Sequence, residues 1–330
     1  MAELTPLWQY SLDFLESKLG EASFPHFVQA CEQGFQQQVN QVLAAVESRP
    51  QLGFIFISGP TSSGKTTFTH HLRQKLENLG KRAKLISLDD YYFETAFVYD
   101  DWGRPDLESV ASLELSFLHA QLQQLAQGQT VELPTFDFQT RKRIFLPDHV
   151  MRLEANDIIL VEGLHALSDE VVAGFPPENY LGVFIMPYAQ FIHDKRTLSP
   201  EDIRKLRRCS RDVTQRGSSA LATLDYWPAI QREEEHSILA YLERADNYIN
   251  SALAYEFTVI APAAYRALKL SLDQYLAGTL EPSDNVKPGL FYADLNAAIQ
   301  EARRLSKVCE LLPSVEASVV PKDSILQEFI

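Results

Sequence analysis

The spacing of apolar residues changes character twice along the chain. Over the first fifty residues it is helical: Trp8, Leu12, Leu15 and Leu19 recur every three or four positions, and Gly20 can stop that helix. A second helical stretch runs from about Phe24 to Val46 and ends near Ser48-Arg49-Pro50. The period is then lost in a continuous apolar run, Phe54-Ile55-Phe56-Ile57, bounded by Gly53 and Gly59, which predicts a buried strand. Compact runs at 54–58, 84–88, 157–162, 181–186 and 256–260 alternate with helical stretches near 64–79, 109–127 and 200–250. Such alternation predicts an α/β fold, a doubly wound parallel sheet of about five strands with helices on both faces. Segment 130–146 alternates apolar and polar residues like a small β-hairpin inserted at the sheet edge. Helical periodicity returns over Tyr265–Leu276 and Ala293–Leu311, and the apolar Ser324–Ile330 should pack back on the body. The resulting organisation is an N-terminal helical extension (1–50), a core (51–262) containing the hairpin, and a C-terminal helical extension (263–330).

Composition narrows the classes. The chain has 330 residues, 45% hydrophobic and 22% charged, as in an ordinary globular protein. It has no run of 18 apolar residues that would predict a membrane span, and its first residues do not read as a secretory signal. Three scattered cysteines in no metal-binding spacing predict a cytoplasmic setting. A net charge of −14 argues against a nucleic-acid surface. Local basic clusters, Arg141–Arg143 and Arg204–Arg216, instead suit a small anionic ligand.

The chemistry begins at Gly59-Pro60-Thr61-Ser62-Ser63-Gly64-Lys65-Thr66, which satisfies G-x-x-x-x-G-K-[ST] and is followed by Thr67. Its glycines allow a tight loop whose amides face phosphate oxygens, and the following helix adds a positive N-terminal end. Lys65 is placed to reach the β- and γ-phosphates, and the Thr66 hydroxyl to ligate magnesium. A strand directly before the motif, and Phe68, Leu72, Leu76 and Leu79 on one face after it, supply the context that the motif requires. Two further strands end in acids. Ile158–Glu162 offers Glu162 to a magnesium ion, and Leu85–Asp90 offers Asp89 or Asp90 to take a proton from an attacking hydroxyl. Ser199-Pro200-Glu201-Asp202 opens a helix carrying Arg204, Arg208 and Arg211 on one face, with Arg216 a turn later before Gly217. Such a stripe suits a triphosphate and predicts a lid over 199–217; a helix neutralised by Asp202, Asp212 and nearby acids is the competing reading.

These segments (GPTSSGKTTF, ISLDDYYF, VELPTFDFQTRKR, IILVEGLHAL and IRKLRRCSRDVTQRG) stand in the order and spacing of the uridine kinase family, within the phosphoribulokinase/uridine kinase group of P-loop enzymes. The resemblance spans about Gly53 to Ile260, and NSALAYEF with SILQEFI resembles a bacterial branch of nucleoside kinases. It implies transfer of a phosphoryl group from ATP or another nucleoside triphosphate, with Mg²⁺, to a small acceptor, in the first instance a nucleoside. It makes Asp89 the base for the 5′-hydroxyl and a neighbour of the metal held by Thr66 and Glu162. Tyr92, Phe136 and Phe138 fall on the acceptor pocket, and Asp106 near the acid that grips ribose hydroxyls. Arg208, Arg211 and Arg216 fall on the arginines that contact phosphates and acceptor. Departures concern the acceptor: Arg141 replaces the family's base-reading histidine, Phe136 a tyrosine and Tyr226 a glutamine, and Trp102–Asp106 stands where F-D-H-P is expected. A guanidinium only donates, whereas imidazole donates and accepts. A sugar phosphate or other anionic acceptor facing Arg141 therefore stays open, as does a non-catalytic ATP-binding module. Homo-oligomerisation also stays open.

Overall fold

The computed structural model describes residues 6–94, 98–137, 140, 142–154 and 156–330. In chain order the elements are β1 (Trp8–Ser11), α1 (Leu12–Glu16), α2 (Ser23–Glu47), β2 (Phe54–Ser58), α3 (Lys65–Asn78), β3 (Arg82–Ser87), α4 (Leu115–Ala126), β4 (Val131–Asp137), β5 (Lys142–Met151) and β6 (Asp157–Glu162). They continue with α5 (Asp169–Val172), β7 (Tyr180–Met186), β8 (Ala189–His193), β9 (Arg196–Leu198), α6 (Pro200–Gln215), α7 (Ala220–Arg244), β10 (Asn247–Asn250), α8 (Glu256–Ala277) and α9 (Leu295–Cys309).

The central sheet has five parallel strands in the order β10-β7-β2-β6-β3. Alternation along β2 divides the interior in two. Ile55 and Ile57 point into a core shared with Val39, Val42, Phe68, Leu72 and Ile260, while Phe54 and Phe56 point into one shared with Leu118, Leu122, Val171 and Tyr241. Both faces are thus covered by helices, which is why these strands read as continuous apolar runs rather than alternating ones. A third core lies between α6, α7, α8 and α9, with β1 and β8 at its margin.

Two sequence expectations are overturned. The run 256–260 is not a strand. Phe257, Thr258, Val259 and Ile260 form the buried start of α8, and the edge strand is the more polar Asn247–Asn250, paired parallel to β7. A helix apolar on all sides loses its periodicity when it is buried all round, so β-branched content misleads there. Trp8–Ser11 is likewise extended rather than helical and lies parallel to Ala189–Ile192, while Leu12–Glu16 is helical. The β8 ladder supplied partners for its backbone that helical spacing could not anticipate. The hairpin forms as expected but is longer, pairing Phe136 with Arg143 and reaching Met151. The C-terminal Ile325, Leu326 and Phe329 are fully buried in the first core.

Candidate active site

Strand order alone brings three segments together. In register, Ile57 of β2 lies opposite Glu162 of β6, and Glu162 opposite Ser87 of β3. The phosphate loop, Glu162 and Asp89 therefore leave the carboxyl ends of three neighbouring strands, each about 4.8 Å from the next. The loop is tightly seated. A Cβ on Gly59 would lie 2.1 Å from the Ile185 carbonyl oxygen, so only glycine lets the chain pass β7 there. Gly64 adopts φ +88° and Ser62 a left-handed φ of 57°. Among the described residues the buried Ser62 and Ser63 hydroxyls have no hydrogen-bond partner, and Lys65 Nζ donates to the loop's own Pro60 carbonyl at 3.0 Å. Orphaned hydroxyls around the N-terminus of α3 fit an anion, since such groups cost free energy unless a ligand meets them.

Beside the loop, Thr66 Oγ1 and Ser87 Oγ each lie 3.4 Å from Glu162 Oε1. Burial pushes the Glu162 carboxyl up to about 7; Lys65 opposes that shift, while Asp89 and Glu328 add to it. A hydroxyl and one carboxylate form a partial donor set, of the kind magnesium completes with phosphate oxygens and water. Among the described residues no group of three or more His, Cys, Asp or Glu could hold a metal. Asp89 stands exposed in the turn after β3, whereas Asp90 points inward and accepts the Phe136 N–H at 3.1 Å. Of the two acids, Asp89 is therefore the one open to an acceptor.

The arginines of α6 separate into two kinds. Arg204 is consumed by a buried bidentate pair with Glu234, at 2.5 and 2.6 Å. Arg207, absent from the sequence expectations, is fully buried. It pairs with Glu256 (2.7 and 3.1 Å) and donates to the backbone carbonyls of Ser62 (3.3 Å), Ser63 (3.5 Å) and Ser251 (2.8 Å), tying the phosphate loop to the segment after β10. Arg208, Arg211 and Arg216 converge instead on the single buried carboxylate of Asp212, at 3.2, 3.0 and 3.7 Å. Burial opposes the charge on Asp212, but the three arginines outweigh it and hold its pKa below the usual range. Arg208 also donates to Thr61 Oγ1 at 2.9 Å. Three guanidiniums against Asp212 and, beside Arg211 at 3.7 Å, Glu328 leave a net positive charge beside the loop.

On the other side of the cleft, Tyr92 and Phe136 stand ring to ring at 5.5 Å, with the Tyr92 hydroxyl donating to the Leu107 carbonyl (2.8 Å). Phe138 and Arg141 lie outside the described residues. Asp106 is exposed and caps its own turn, accepting the Ser109 N–H at 3.0 Å. Glu108 was not anticipated: burial pushes its carboxyl up to about 7, and Arg208, Glu234, Asp89 and Lys65 all act on its charge. Charges at Asp89 and Lys65 thus both reach this carboxyl, and nothing in its local sequence distinguished it from Asp106. His165 is a packing residue here, bonded to Tyr241 Oη (2.7 Å) and the Glu108 carbonyl (2.5 Å). Tyr226 is buried, donates to the Pro105 carbonyl (3.1 Å) and lies under Arg208.

The family model described as "Phosphoribulokinase / Uridine kinase family" matches residues 54–255. The chain belongs to this family. Among curated relatives, a uridine kinase of Halobacterium salinarum is 32% identical over 174 residues, 52% of this chain and 68% of that protein. A uridine kinase of Streptococcus uberis is 24% identical over 186 residues, covering 56% and 79%. Among solved structures, a possible uridine kinase from Bacillus stearothermophilus aligns with 65% of this chain and 98% of its own at 19% identity and a TM-score of 0.43. The match stops at 255, so α8, α9 and the C-terminal turn lie beyond the family model. Membership makes the chain a P-loop kinase acting on a small-molecule acceptor. No helix of the described residues is long and apolar enough to cross a membrane.

Proposed function

We propose that this family member transfers the γ-phosphoryl group of ATP to the 5′-hydroxyl of a nucleoside. One observation carries the reading: the phosphate loop, Glu162 paired with Thr66, and an exposed Asp89 leave the carboxyl ends of adjacent strands, with the Asp212-held arginines at the loop through Arg208 and Thr61. Bound Mg²⁺·ATP supplies the electrophilic phosphorus and the neutralised leaving group. The protein's share is positioning and charge. Loop amides and the Ser62 and Ser63 hydroxyls cradle phosphate oxygens, with Lys65 leaving the Pro60 carbonyl for them. Thr66 and Glu162 hold the metal. Asp89 takes the proton from the acceptor hydroxyl, and Arg208, Arg211 and Arg216 meet negative charge on the moving group.

Glu108 favours an uncharged, hydroxylated acceptor over an anionic one. With its carboxyl pushed up to about 7, Glu108 in its ionised form repels a phosphate or carboxylate, and in either form it accepts hydrogen bonds from ribose hydroxyls. Arg143 does not offset this, because it pairs with Glu114 at 2.7 Å and donates to the Tyr92 carbonyl at 3.1 Å. The test is ADP formation with ATP and Mg²⁺ against a panel of nucleosides, sugar phosphates and small hydroxy acids. A nucleoside should stimulate release most. Stimulation by an anionic acceptor alone would move the assignment to that class, and ATP binding with no stimulation by any acceptor would argue for a non-catalytic module.

A further inference from the structure

Beyond the family-matched region, the last seven residues reach the phosphate loop. Ser324 caps the final turn by accepting the Leu326 N–H (3.2 Å), and its hydroxyl meets Tyr255 Oη at 3.1 Å. Ile325, Leu326 and Phe329 are buried in the same core as Ile57 and Phe68. Ile325 lies directly over the loop, its Cδ1 3.5 Å from where a Cβ on Gly64 would stand. The Arg207 guanidinium sits 5.1 Å from the centre of the Phe329 ring. From the end of α6, Gln215 donates to the carbonyls of Glu328 (3.2 Å) and Ile330 (3.4 Å). The turn is therefore anchored from the sheet, the loop and the arginine helix at once, and cannot serve as a loosely attached plug.

That anchoring aims one side chain at the donor side of the cleft. Glu328 Oε2 lies 3.4 Å from Thr67 Oγ1, and Oε1 lies 3.7 Å from Arg211 Nη1. Thr67 stands in the first turn of α3, two residues after Lys65, where a hydroxyl faces nucleotide phosphates. A carboxylate and a phosphate oxygen are both anionic acceptors, so they compete for the same hydroxyl and guanidinium. We infer that Glu328 is a donor-site residue: it shares Thr67 and Arg211 with the nucleotide phosphates, so that the C-terminal turn positions Arg211 and lowers the affinity for the triphosphate. This inference rests on the donor site assigned under the proposed function, but not on the identity of the acceptor. Neither the buried anchors nor the backbone contacts depend on the carboxylate, so Glu328→Gln can remove its charge while leaving the turn in place.

The test is equilibrium binding of ATP, without acceptor, to the full chain and to Glu328→Gln, Arg211→Met and the double variant, each with its thermal melt. Glu328→Gln should bind ATP about threefold to tenfold tighter. In the Arg211→Met background the gain should shrink to about twofold or less, because the contested guanidinium is gone. Unchanged or weaker binding by a Glu328→Gln protein that melts like the parent overturns the inference and leaves the kinase reading standing. An equal gain in both backgrounds also overturns it, since the effect would then be a general loss of negative charge. If neither the parent nor any variant binds ATP at millimolar concentration, the donor-site assignment and this inference fall together.

Discussion

On the proposed donor side, the groups offered to phosphates are backbone amides, hydroxyls and side chains of the 59–64 loop, α3 and α6. On the acceptor side Asp89, Tyr92, Glu108 and Phe136 stand on turns, a long connection and a two-stranded hairpin. The donor side is also cross-linked from behind. Arg207, fully buried, holds the Ser62 and Ser63 carbonyls against Glu256 and Ser251. On the acceptor side the ties run between loops and the hairpin: Tyr92 reaches the Leu107 carbonyl, accepts from Arg143 and packs on Phe136, and Asp90 accepts the Phe136 N–H. A triphosphate presents the same oxygens whatever the acceptor, so a rigid cradle built of backbone suffices. Acceptors differ in shape and charge, and loops on a fixed scaffold can change without disturbing the sheet.

The contrast breaks most sharply at Arg207. Arg207→Met should destabilise the chain by about 3–5 kcal/mol, because Glu256 is left buried and unpaired, and urea unfolding measures the loss. A much smaller loss would show that the two sides are equally tolerant. Next comes Asp89→Asn, expected to lower kcat by roughly 10²–10⁴-fold while the ATP dissociation constant stays within about threefold of the parent's. Near-normal turnover would remove Asp89 from its role as base.

A finer probe is Glu108→Gln. In the folded chain this carboxyl stands at about 7, above its ordinary 4.5, so the folded state holds the extra proton between those values. Stability should therefore fall as pH rises through that window, and the glutamine variant should lose less, by up to about 3 kcal/mol at pH 8 relative to pH 4. Melts across that pH range measure it. The same variant should raise the acceptor KM. Smallest of all is Asp106→Asn: with its carboxylate capping Ser109, the acceptor KM should move by less than about threefold. A larger effect for Asp106→Asn than for Glu108→Gln would reverse the assignment of the acceptor-side acid.

The legibility of the site follows the same division. Gly59–Thr66 could be read directly because a phosphate cradle is local: glycines at fixed offsets, a strand before and a helix after. Glu162 and Asp89 were legible because one ends an apolar strand and the other directly follows one, and strand ends in a parallel sheet share an edge. The arginine helix was visible as a stripe, with Asp212 on the same helix already among its candidate acids, but its spacing did not reveal that Arg204 belongs to Glu234 or Arg207 to Glu256. Which charge meets which is set by α7, α8 and the C-terminal turn, far away in the chain.

The sequence by itself determined the α/β alternation, the phosphate loop and the two strand-end acids, because each depends on interactions within about one turn or one strand. Only the tertiary structure decided that Trp8–Ser11 would be a strand, that 256–260 would open a buried helix, that the charges of Asp89, Arg208 and Lys65 would act on Glu108 while Asp106 stays exposed, and that Glu328 stands beside Thr67. Those outcomes turn on long-range pairing and burial. A backbone group takes whichever hydrogen-bond partner folding brings it, and a carboxylate's role follows from which charges surround it once water is excluded.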